Sequence, residues 1–527
     1  MLKLRTASEA VKMIKDGDTV VTSGFMLATT PEELFIAIED RFMETKAPKD
    51  LTLMCAAGVG DLRGGNTGLN HFAHDGLLKR VIVGHFGSND QIVRMVNENR
   101  IEGYNWPQGI VSHVLRARGN GEKGLLSRVG LRTYMDPRVS GSKMNDLAKE
   151  DLVQLVNLNG EDYLYYKAPN VDIAIIRGTT ADELGNISFE DEIALSMARV
   201  AALAAKASGG KVIAQVKNYV KAGQIEAKLV GVCGIFVDAV VITRDIDKNH
   251  RMTPGSLFDQ SMAGHRQVPT GSRKPLEMSE RKVIGRRAAM ELVPNSVVNL
   301  GIGVPETVSA VAAEEGCSGD LVMTVEAGAI GGVPAGGLNF GASLNPWSIT
   351  DEPTQFDFYH SGYLDVTFLG LAEVNHSGDV NVSKFGPRIP GCGGFIDISQ
   401  STKRVVYCGT FTAGGLEVEI SDGKVVIVKE GKSKKFKKGI EQITFSGKQA
   451  LENGQEVIYI TERAVFALTE EGLELREIAP GIDLEKHILS QMEFDPIIAR
   501  DVKVMDRNLF EDGLMGLKGV IEAKKNR

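Results

Sequence analysis

The sequence lacks the features that would place it in several large classes of protein. Its 527 residues include five cysteines, an odd number without a C-x-x-C pair: Cys55, Cys233, Cys317, Cys392 and Cys408. This number and spacing argue against a disulfide framework and against a structural zinc site. No segment approaches the ~20 uninterrupted apolar residues that cross a bilayer. We therefore expect neither a disulfide-stabilised protein nor one that spans a membrane.

An excess of positive charge is also missing. The formal net charge is -8 at pH 7. The composition therefore gives no electrostatic reason to expect nucleic acid or an anionic membrane surface as a partner. Charges interrupt the N-terminal stretch MLKLRTASEAVKMIKDGDTVV before the apolar core of a signal peptide can form. We expect a cytoplasmic protein.

Cofactor and metal motifs are absent or incomplete. The glycine-rich segment Thr324–Gly337 is not followed by the Lys-Ser/Thr of a phosphate-binding loop. Gly301–Glu306 begins like a dinucleotide fingerprint but lacks the third glycine in register. The nine histidines form no H-E-x-x-H, and His71 and His74 have no evident third ligand, which favours a surface or a structural turn. We predict no metal and no cofactor.

The two halves of the sequence resemble each other. Strings of similar pattern recur in the same order, each with a strand-like run that ends near glycine or a polar residue. The pairs are Asp18–Leu34 with Asn295–Val308, Leu51–Gly60 with Leu321–Gly332, Val171–Ser188 with Leu364–Ser383, and Gly209–Val216 with Thr402–Gly409. Chance does not readily produce this shared order, so we interpret the chain as an internal duplication.

Short β-branched runs alternate with helical stretches such as Asp191–Lys206. This pattern predicts parallel strands joined by crossover helices, and hence two homologous open α/β domains in tandem with mostly parallel sheets. Asp422-Gly423 between alternating segments predicts a β-hairpin. The predicted divisions are an N-terminal domain at 1–244, a linker at 245–274, and a C-terminal domain at 275–527 with the hairpin near 416–440.

One carboxylate distinguishes the two copies. Alignment of the repeats places Ala56 opposite Glu326, which directly follows the strand-like run LVMTV and precedes several glycines. Ligands of open α/β sheets bind beyond the C-terminal ends of strands, and glycines allow the backbone to approach them closely. Glu326 is therefore a candidate base or nucleophile. The alternative is that its side chain caps a following helix.

Several strings together resemble family I coenzyme A transferases, specifically the single-chain acetate or propionate type in which two homologous halves are fused. The resemblance covers nearly the whole chain and rests on the E-x-G-x-x-G-G pattern of VEAGAIGGVPAGG, on TERAVF and on EIAPGIDL. Further matching strings are SGFMLATTPEEL, WPQG, GIGVPE, LDVTFLG and PGCGGFID.

The resemblance implies roles for individual residues. Glu326 falls on the family nucleophile, and Gln108 falls on the glutamine whose amide contributes to an oxyanion hole. Since these two residues come from different halves, the resemblance implies an active site at the domain interface. An alternative for Gln108 is a polar cap on the helix that begins near Gly109. The glycines implied are Gly393 and Gly394 as candidate oxyanion N–H donors, and Gly301, Gly303, Gly328 and Gly391 in CoA binding.

The implied reaction transfers CoA from a short-chain acyl-CoA to a free short-chain carboxylate through a glutamyl-CoA thioester, with CoA as a substrate and without an external cofactor. By the same resemblance, the residues after Glu326 favour short monocarboxylates, and we expect a homo-oligomer. Two alternatives remain at this level. One is an acyl-CoA hydrolase that uses the same glutamate, and the other is a non-catalytic sensor of acyl-CoA or sugar phosphate.

Overall fold

The computed structural model describes residues 3–61, 63–269 and 275–526. Residues 270–274, the end of the predicted linker, lie outside these ranges. In the first half of the chain the helices are α1 (Ala7–Ala10), α2 (Glu32–Thr45), α3 (Asp90–Asn97), α4 (Gln108–Gly119), α5 (Ala198–Ala207) and α6 (Ile246–Asn249). The strands are β1 (Thr19–Thr22), β2 (Leu51–Cys55), β3 (Leu78–Val83), β4 (Glu102–Asn105), β5 (Gly124–Ser127), β6 (Val153–Leu158), β7 (Glu161–Lys167), β8 (Ile173–Arg177), β9 (Thr180–Asp182), β10 (Ile187–Ser188), β11 (Lys211–Val216), β12 (Asn218–Val220), β13 (Val230–Val232) and β14 (Ala239–Ile242).

In the second half the helices are α7 (Glu280–Ala289), α8 (Glu306–Glu314), α9 (Glu352–His360), α10 (Phe395–Ser401), α11 (Gly447–Glu452), α12 (Leu484–His487) and α13 (Leu517–Glu522). The longer strands are preceded or followed by two-residue strands at several turns. In order they are β15 (Val297–Leu300), β16 (Val322–Thr324), β17 (Ala329–Ile330), β18 (Val333–Pro334), β19 (Ser343–Leu344), β20 (Ser348–Ile349), β21 (Val366–Gly370), β22 (Glu373–Val374), β23 (Val380–Asn381), β24 (Arg404–Cys408), β25 (Thr412–Ala413), β26 (Glu417–Ser421), β27 (Lys424–Lys429), β28 (Ser433–Lys434), β29 (Glu456–Ile460), β30 (Ala464–Thr469), β31 (Gly472–Ile478) and β32 (Ile497–Val504).

The chain divides into two compact units that do not follow the sequence continuously. Unit 1 contains Met1–Val268, Val325–Asp357 and Gly386–Asp397, and unit 2 contains Pro269–Thr324, Phe358–Phe385 and Ile398–Arg527. Two segments from the second half of the sequence thus belong to unit 1. The predicted domain limits near 244 and 275 stay a prediction.

Unit 1 is built on a seven-stranded sheet in the order β14-β11-β8-β1-β2-β3-β4, in which every neighbouring pair is parallel. Each of its strands contains a run of consecutive buried residues rather than an alternation, and all five residues of β8 are buried. Continuous apolar strands are what a parallel sheet covered on both faces requires. Two small sheets complete the strands of this region: a mixed sheet, β12-β9-β10-β13, in which β12 and β9 are parallel, and an antiparallel sheet, β5-β7-β6.

Unit 2 repeats the central strand order of unit 1. Its strands run in the order β16-β15-β21-β24-β29-β30-β31-β32, and the first four pairings are parallel. The repeated strings of the sequence lie on β1, β2, β8 and β11 in one unit and on β15, β16, β21 and β24 in the other. Both quartets have the same spatial order, so the prediction of two homologous, mostly parallel α/β sheets is confirmed.

One predicted helix is shorter than expected. The stretch Asp191–Lys206 was predicted to be helical, but α5 begins only at Ala198. Ser196 adopts the left-handed region with φ of 50°, and Glu192 is held by a buried arginine, Arg177. A continuous helix would have to give up both features. The prediction is therefore wrong for its first seven residues because tertiary contacts override local propensity.

The Asp422-Gly423 segment joins β26 and β27 in an antiparallel hairpin. Both turn residues have positive φ, 52° and 68°, which is the geometry that an Asp-Gly turn favours.

Within the described ranges, no helix is both long and apolar enough to cross a membrane.

Candidate active site

Glu326 lies at the second position of a tight turn. The Gly328 N–H donates to Val325 O at 2.9 Å, and the Val325 N–H donates to Ala329 O at 2.8 Å. The next regular element is the short strand β17, not a helix. The alternative that Glu326 caps a following helix therefore has no helix to act on in this structure.

Gly328 has a structural reason to be glycine. Its φ is +128°, and a Cβ there would overlap the backbone oxygen of Thr350. The Thr350 N–H also donates to Gly328 O at 2.9 Å. The backbone of the turn and the segment before α9 are thus packed directly against each other. This contact fixes the turn that carries Glu326, and the predicted role of Gly328 in CoA binding stays a prediction.

The Glu326 carboxyl group is half-buried and has an unusual environment. Burial, and then the negative charge of Asp397, raises its pKa to about 7. Within the described ranges no lysine, arginine or histidine forms an ion pair with it. A carboxyl group with a pKa near neutrality is poised for acid–base or nucleophilic chemistry.

Gly394 lies against this carboxyl group. A Cβ at Gly394 would overlap Glu326 Oε2 and would lie 3.2 Å from Cζ of Phe356. Its φ is not in the left-handed region, so the close approach alone requires a glycine. Of the residues predicted from the sequence, Gly394 and Glu326 are therefore brought into direct contact.

The two candidate oxyanion donors differ in their hydrogen bonding. The Gly393 N–H donates to Gly84 O at 2.7 Å and is already used within the protein. The Gly394 N–H has no acceptor among the described residues. Gly391 has φ of +80°, and a Cβ there would lie 3.0 Å from Gly84 O and from Asn105 Nδ2. Gly391 thus serves the fold of the segment, and its predicted role in CoA binding stays a prediction.

Gln108 begins α4, and the same glycine segment anchors its backbone. The Gln108 N–H donates to Gly393 O at 2.9 Å, and the Gly109 N–H donates to Asp397 Oδ2 at 3.0 Å. The helix has Pro107 at its N-cap and no side-chain capping bond. The alternative that the Gln108 side chain caps this helix is therefore not what the structure contains.

The Gln108 side chain is 2% exposed, and its Nε2 has no hydrogen-bond partner among the described residues. The side chain lies close enough to Glu352 to oppose the rise in the pKa of that carboxyl group. A buried donor without a partner is costly, by ~1–3 kcal/mol, and usually needs a functional explanation. A ligand that offers an acceptor would supply one.

Gly301 and Gly303 lie in unit 2, just beyond the C-terminal end of β15. The Gly301 N–H donates to Phe368 O at 2.8 Å. Gly303 has φ of +91° with no atom near the position of a Cβ, so its backbone conformation explains the glycine. This edge of an open parallel sheet is where ligands commonly bind, and the role of both residues in CoA binding stays a prediction.

Sequence reasoning missed Glu352 and Asp397, which lie with Glu326 in unit 1. Burial, then the charges of Glu326 and Asp397, raises the pKa of Glu352 to about 8, although the Gln108 amide and the Ser196 hydroxyl oppose the rise. In the sequence, Glu352 precedes Pro353 at a helix start, where an acidic residue is normally solvated. No local pattern distinguishes it from such an ordinary first-turn glutamate.

His71 and His74 have the structural role that their sequence context favoured. His71 lies between Glu32, at 3.1 Å from its Nε2, and Glu39, at 2.5 Å from its Nδ1. His74 Nε2 lies 2.7 Å from Glu39. Across the described part of the chain, no group of three or more His, Cys, Asp or Glu side chains is placed to hold a metal ion.

Comparison with known proteins decides the family. The coenzyme A transferase family model matches residues 4–243. The acetate CoA-transferase YdiF of Escherichia coli K12 is 43% identical over 515 residues, which are 97% of this chain and 96% of that protein. The chain belongs to the coenzyme A transferase family. A caffeate CoA-transferase of Acetobacterium woodii is 44% identical to this transferase, over 99% of this chain and all of that protein.

Solved structures agree with the sequence comparison. The crystal structure of the acyl-CoA transferase YdiF from E. coli O157:H7 superposes with a TM-score of 0.91 at 42% identity, and covers 98% of this transferase and 97% of that chain. A second structure of that protein, equally similar, is a thioester complex with CoA. Full-length similarity to proteins named as transferases supports CoA transfer and does not favour hydrolysis or a non-catalytic sensor.

Proposed function

We propose that Glu326 is the nucleophile of this transferase and carries CoA between a short-chain acyl-CoA and a free short-chain carboxylate. The observation that supports this most directly is the contact of an unpaired, half-buried Glu326 carboxyl group with Gly394. A carboxylate without a cation beside it keeps its electron pair available for attack.

The reaction begins when a Glu326 oxygen attacks the thioester carbonyl of the acyl-CoA. The C–S bond breaks, CoA leaves as a thiolate, and a mixed anhydride of Glu326 and the acyl group remains. The thiolate then attacks the glutamyl carbonyl and releases the free acyl carboxylate, which leaves a glutamyl-CoA thioester. The acceptor carboxylate reverses these steps, so that Glu326 is regenerated without a cofactor.

Each attack creates a tetrahedral oxyanion that needs donors already in place. Among the described residues, the Gln108 Nε2 and the Gly394 N–H have no acceptor, and Gly394 lies against the Glu326 carboxyl group. Donors that need no reorganisation are worth ~2.7–4 kcal/mol each at such a site. Gly393 is the weaker candidate because its N–H is occupied by Gly84 O.

The proposal extends to partners and setting. The relatives named for acetate and for caffeate differ greatly in acyl size, which supports an acyl pocket that varies within the family. Since one methylene contributes only ~1–3 kcal/mol to selectivity, we propose broad use of short monocarboxylates. We also propose that the protein is a cytoplasmic homo-oligomer. Each chain would have an N-terminal domain at 1–244, a linker at 245–274 and a C-terminal domain at 275–527.

Trapping the covalent intermediate tests the proposal. Mixing the enzyme with acetyl-CoA and no acceptor should add the mass of CoA, less one water, to the intact protein. Peptide mapping should place that addition on Glu326. A label on one of the five cysteines, or no change in mass, would show that the proposed nucleophile is wrong. A panel of acceptors, from acetate to an aromatic acid, then identifies the preferred pair.

A further inference from the structure

His85 is a partly buried histidine that the transfer reaction described so far does not use. It lies just beyond the C-terminal end of β3 in the parallel sheet of unit 1, the edge where open sheets commonly bind ligands. Its Nδ1 is buried and has no hydrogen-bond partner among the described residues. Nε2 makes no hydrogen bond within the described ranges either, but unlike Nδ1 it keeps access to solvent. A polar ring without partners at this edge calls for a functional explanation.

Hydrogen bonds fix the segment that carries His85 to the glycine segment that packs against the candidate nucleophile. The Gly393 N–H donates to Gly84 O at 2.7 Å, and the Phe86 N–H donates to Pro390 O at 2.7 Å. These two bonds lie on either side of His85 in the sequence. The backbone that carries the imidazole is therefore held against the residues that precede Gly394.

Asn105 joins the same two segments a second time. Its Nδ2 donates to Gly84 O at 2.7 Å, and its Oδ1 accepts from the Cys392 N–H at 2.9 Å. Asn105 is fully buried, with 0% exposure. The position of His85 is thus set by the fold before a ligand arrives, and a side chain placed in advance loses less conformational entropy on binding.

Glycines make room for the imidazole ring. A Cβ at Gly58 would lie 2.7 Å from His85 Nδ1, and a Cβ at Gly87 would lie 2.6 Å from Cε1. Neither glycine has φ in the left-handed region. The nearby ring, rather than the backbone conformation, therefore explains why neither position carries a side chain.

The ring and the candidate nucleophile pack against consecutive residues. A Cβ at Gly393 would lie 3.8 Å from His85 Cδ2, and a Cβ at Gly394 would overlap Glu326 Oε2. Both contacts are made within unit 1. This placement puts a polar ring next to the space in which a short carboxylate must bind if it is to react at Glu326.

The surroundings of His85 favour a neutral ring with its proton on Nε2. Burial lowers the pKa of His85 to about 4, and no charged group among the described residues opposes that shift. A neutral imidazole has one N–H donor and one acceptor nitrogen. Native proteins leave buried N–H donors unsatisfied less often than buried acceptors. The enclosed Nδ1 is therefore the acceptor, and the accessible Nε2 carries the proton.

We propose that the Nε2–H of His85 binds a carboxylate oxygen of the short-chain acid that enters or leaves beside Glu326. This inference rests on the proposed role of Glu326 as the nucleophile. A neutral N–H orients the acid without placing a cation beside Glu326, which would form an ion pair with its carboxylate and hold back the attacking oxygen.

Two amide variants distinguish the ring nitrogens. His85→Gln places an amide N–H near the position of Nε2, whereas His85→Asn places one near the position of Nδ1. KM for acetate should rise about 10- to 100-fold in His85→Asn and His85→Ala, as for loss of a hydrogen bond to a charged group, and stay within about threefold in His85→Gln. KM for acetyl-CoA should change little in all three. An equal rise in the three variants, or no rise in any, would overturn the inference.

Discharge of the CoA adduct separates this inference from the proposed nucleophile. The adduct is formed with acetyl-CoA alone, freed of small molecules and mixed with increasing acetate while intact mass is followed. Discharge should need about 10- to 100-fold more acetate in His85→Ala and His85→Asn than in the wild type. Misfolded protein forms no adduct and lowers the amplitude only. No adduct in the wild type would remove the nucleophile, whereas equal acetate dependence in all variants would remove only the role of His85.

A nucleophile without a carboxylate provides the matched control. Hydroxylamine attacks a thioester as a neutral molecule, so it should discharge the adduct at the same rate in the wild type and in all variants of His85. If His85→Ala slowed hydroxylamine as much as acetate, the residue would act on the thioester and not on the acid. That result would overturn the inference.

Discussion

Two buried carboxylate sites in unit 1 have opposite electrostatics. Glu192 is clasped by Arg177, whose Nε and Nη2 lie 3.0 and 2.9 Å from the two carboxylate oxygens, and His250 Nε2 lies 3.2 Å away. Burial alone would raise the pKa of Glu192, but Arg177 and His250 outweigh it and lower the pKa to about 2. Glu326 and Glu352 have no such cation among the described residues, and their pKa values rise to about 7 and about 8.

The difference between the sites shows what a counter-charge does. At Glu192 it converts a buried carboxylate into a permanent ion pair that fixes the loop before α5. At Glu326 no counter-charge is present, so the carboxylate electron pair is available for attack. At Glu352 the same lack of a counter-charge favours the protonated carboxyl group. The first arrangement stabilises the native fold, and the second keeps two carboxyl groups chemically adjustable near neutral pH.

The largest expected effect comes from removing the nucleophile. Glu326→Ala should lose transfer activity by on the order of 10,000-fold or more, as for other covalent nucleophiles. Glu326→Asp withdraws the carboxyl group by roughly 1.5 Å, one bond length, and a displacement of about 1 Å can cost ~100-fold. Steady-state transfer from acetyl-CoA measures both. Near-normal turnover by the Ala variant would show that Glu326 is not the nucleophile, and that its lack of a neighbouring cation is unrelated to catalysis.

The second-largest expected effect on activity comes from removing the side-chain amide of Gln108. Gln108→Ala should lower kcat by ~100- to 1,000-fold with KM for acyl-CoA little changed, because an oxyanion donor acts on the transition state. Adduct formation should slow in parallel. Gln154→Ala, at an exposed position, is the matched control and should behave as wild type. A Gln108→Ala variant that keeps kcat but melts at a lower temperature would assign the residue to the fold.

A methyl group at Gly394 should disturb the same carboxyl group sterically. Gly394→Ala places a Cβ where Glu326 Oε2 lies, so the side chain must move. We expect a loss of about 100-fold in kcat/KM from this displacement. Gly439→Ala serves as the control, because no atom lies within 4 Å of a Cβ there. Equal activity of the two variants would show that Glu326 tolerates displacement.

Breaking the ion pair between Arg177 and Glu192 should have the smallest effect on activity and the largest effect on stability. Glu192→Gln leaves the buried Arg177 charge without its partner, which costs ~3–5 kcal/mol of unfolding free energy. The kcat of the folded fraction should stay within about twofold. Urea unfolding and active-site titration together measure the two quantities. A Glu192→Gln variant that is stable but inactive would show that Glu192 serves catalysis rather than stability, which contradicts the comparison.

The pH dependence of stability should have opposite signs at the two sites. The folded pKa of Glu192 is lowered, so its stabilisation is present above the ordinary value of 4.5 and is lost as the pH falls towards about 2. The folded pKa of Glu352 is raised, so wild-type stability declines as the pH rises from 4.5 towards about 8. Glu352→Gln should therefore melt increasingly above the wild type across that range. If the melting temperatures of the wild type and Glu352→Gln changed with pH by the same amount, Glu352 would not carry a proton in the folded state.

Much of the fold could be predicted because the relevant signals are local and repeated. Apolar runs such as Ile173–Ile176 need burial on both faces, which a covered parallel sheet supplies. The shared order of the repeats then implied a shared strand order, which β1 with β15 and β8 with β21 have. The start of α5 was not predictable, because the contact between Arg177 and Glu192 joins residues in different elements.

The candidate site was predictable only in part. The E-x-G-x-x-G-G pattern selected Glu326 from the sequence, and its setting agrees with a reactive group. Gly328 and Gly391 were selected for CoA, but each has a structural reason in backbone contacts of its own. Glu352 escaped notice because a glutamate before proline is typical of any helix start.

The sequence by itself determined the repeated α/β architecture, the family of the chain and the position of the candidate nucleophile, because each of these depends on short-range periodicity or on a contiguous motif. Only the tertiary structure decided the charge states of Glu192, Glu326 and Glu352. A carboxyl pKa depends on how much water the fold removes and on which charges it brings within a few ångströms. Those neighbours, Arg177, Asp397 and Gln108, belong to other elements of the chain than the glutamates whose chemistry they influence.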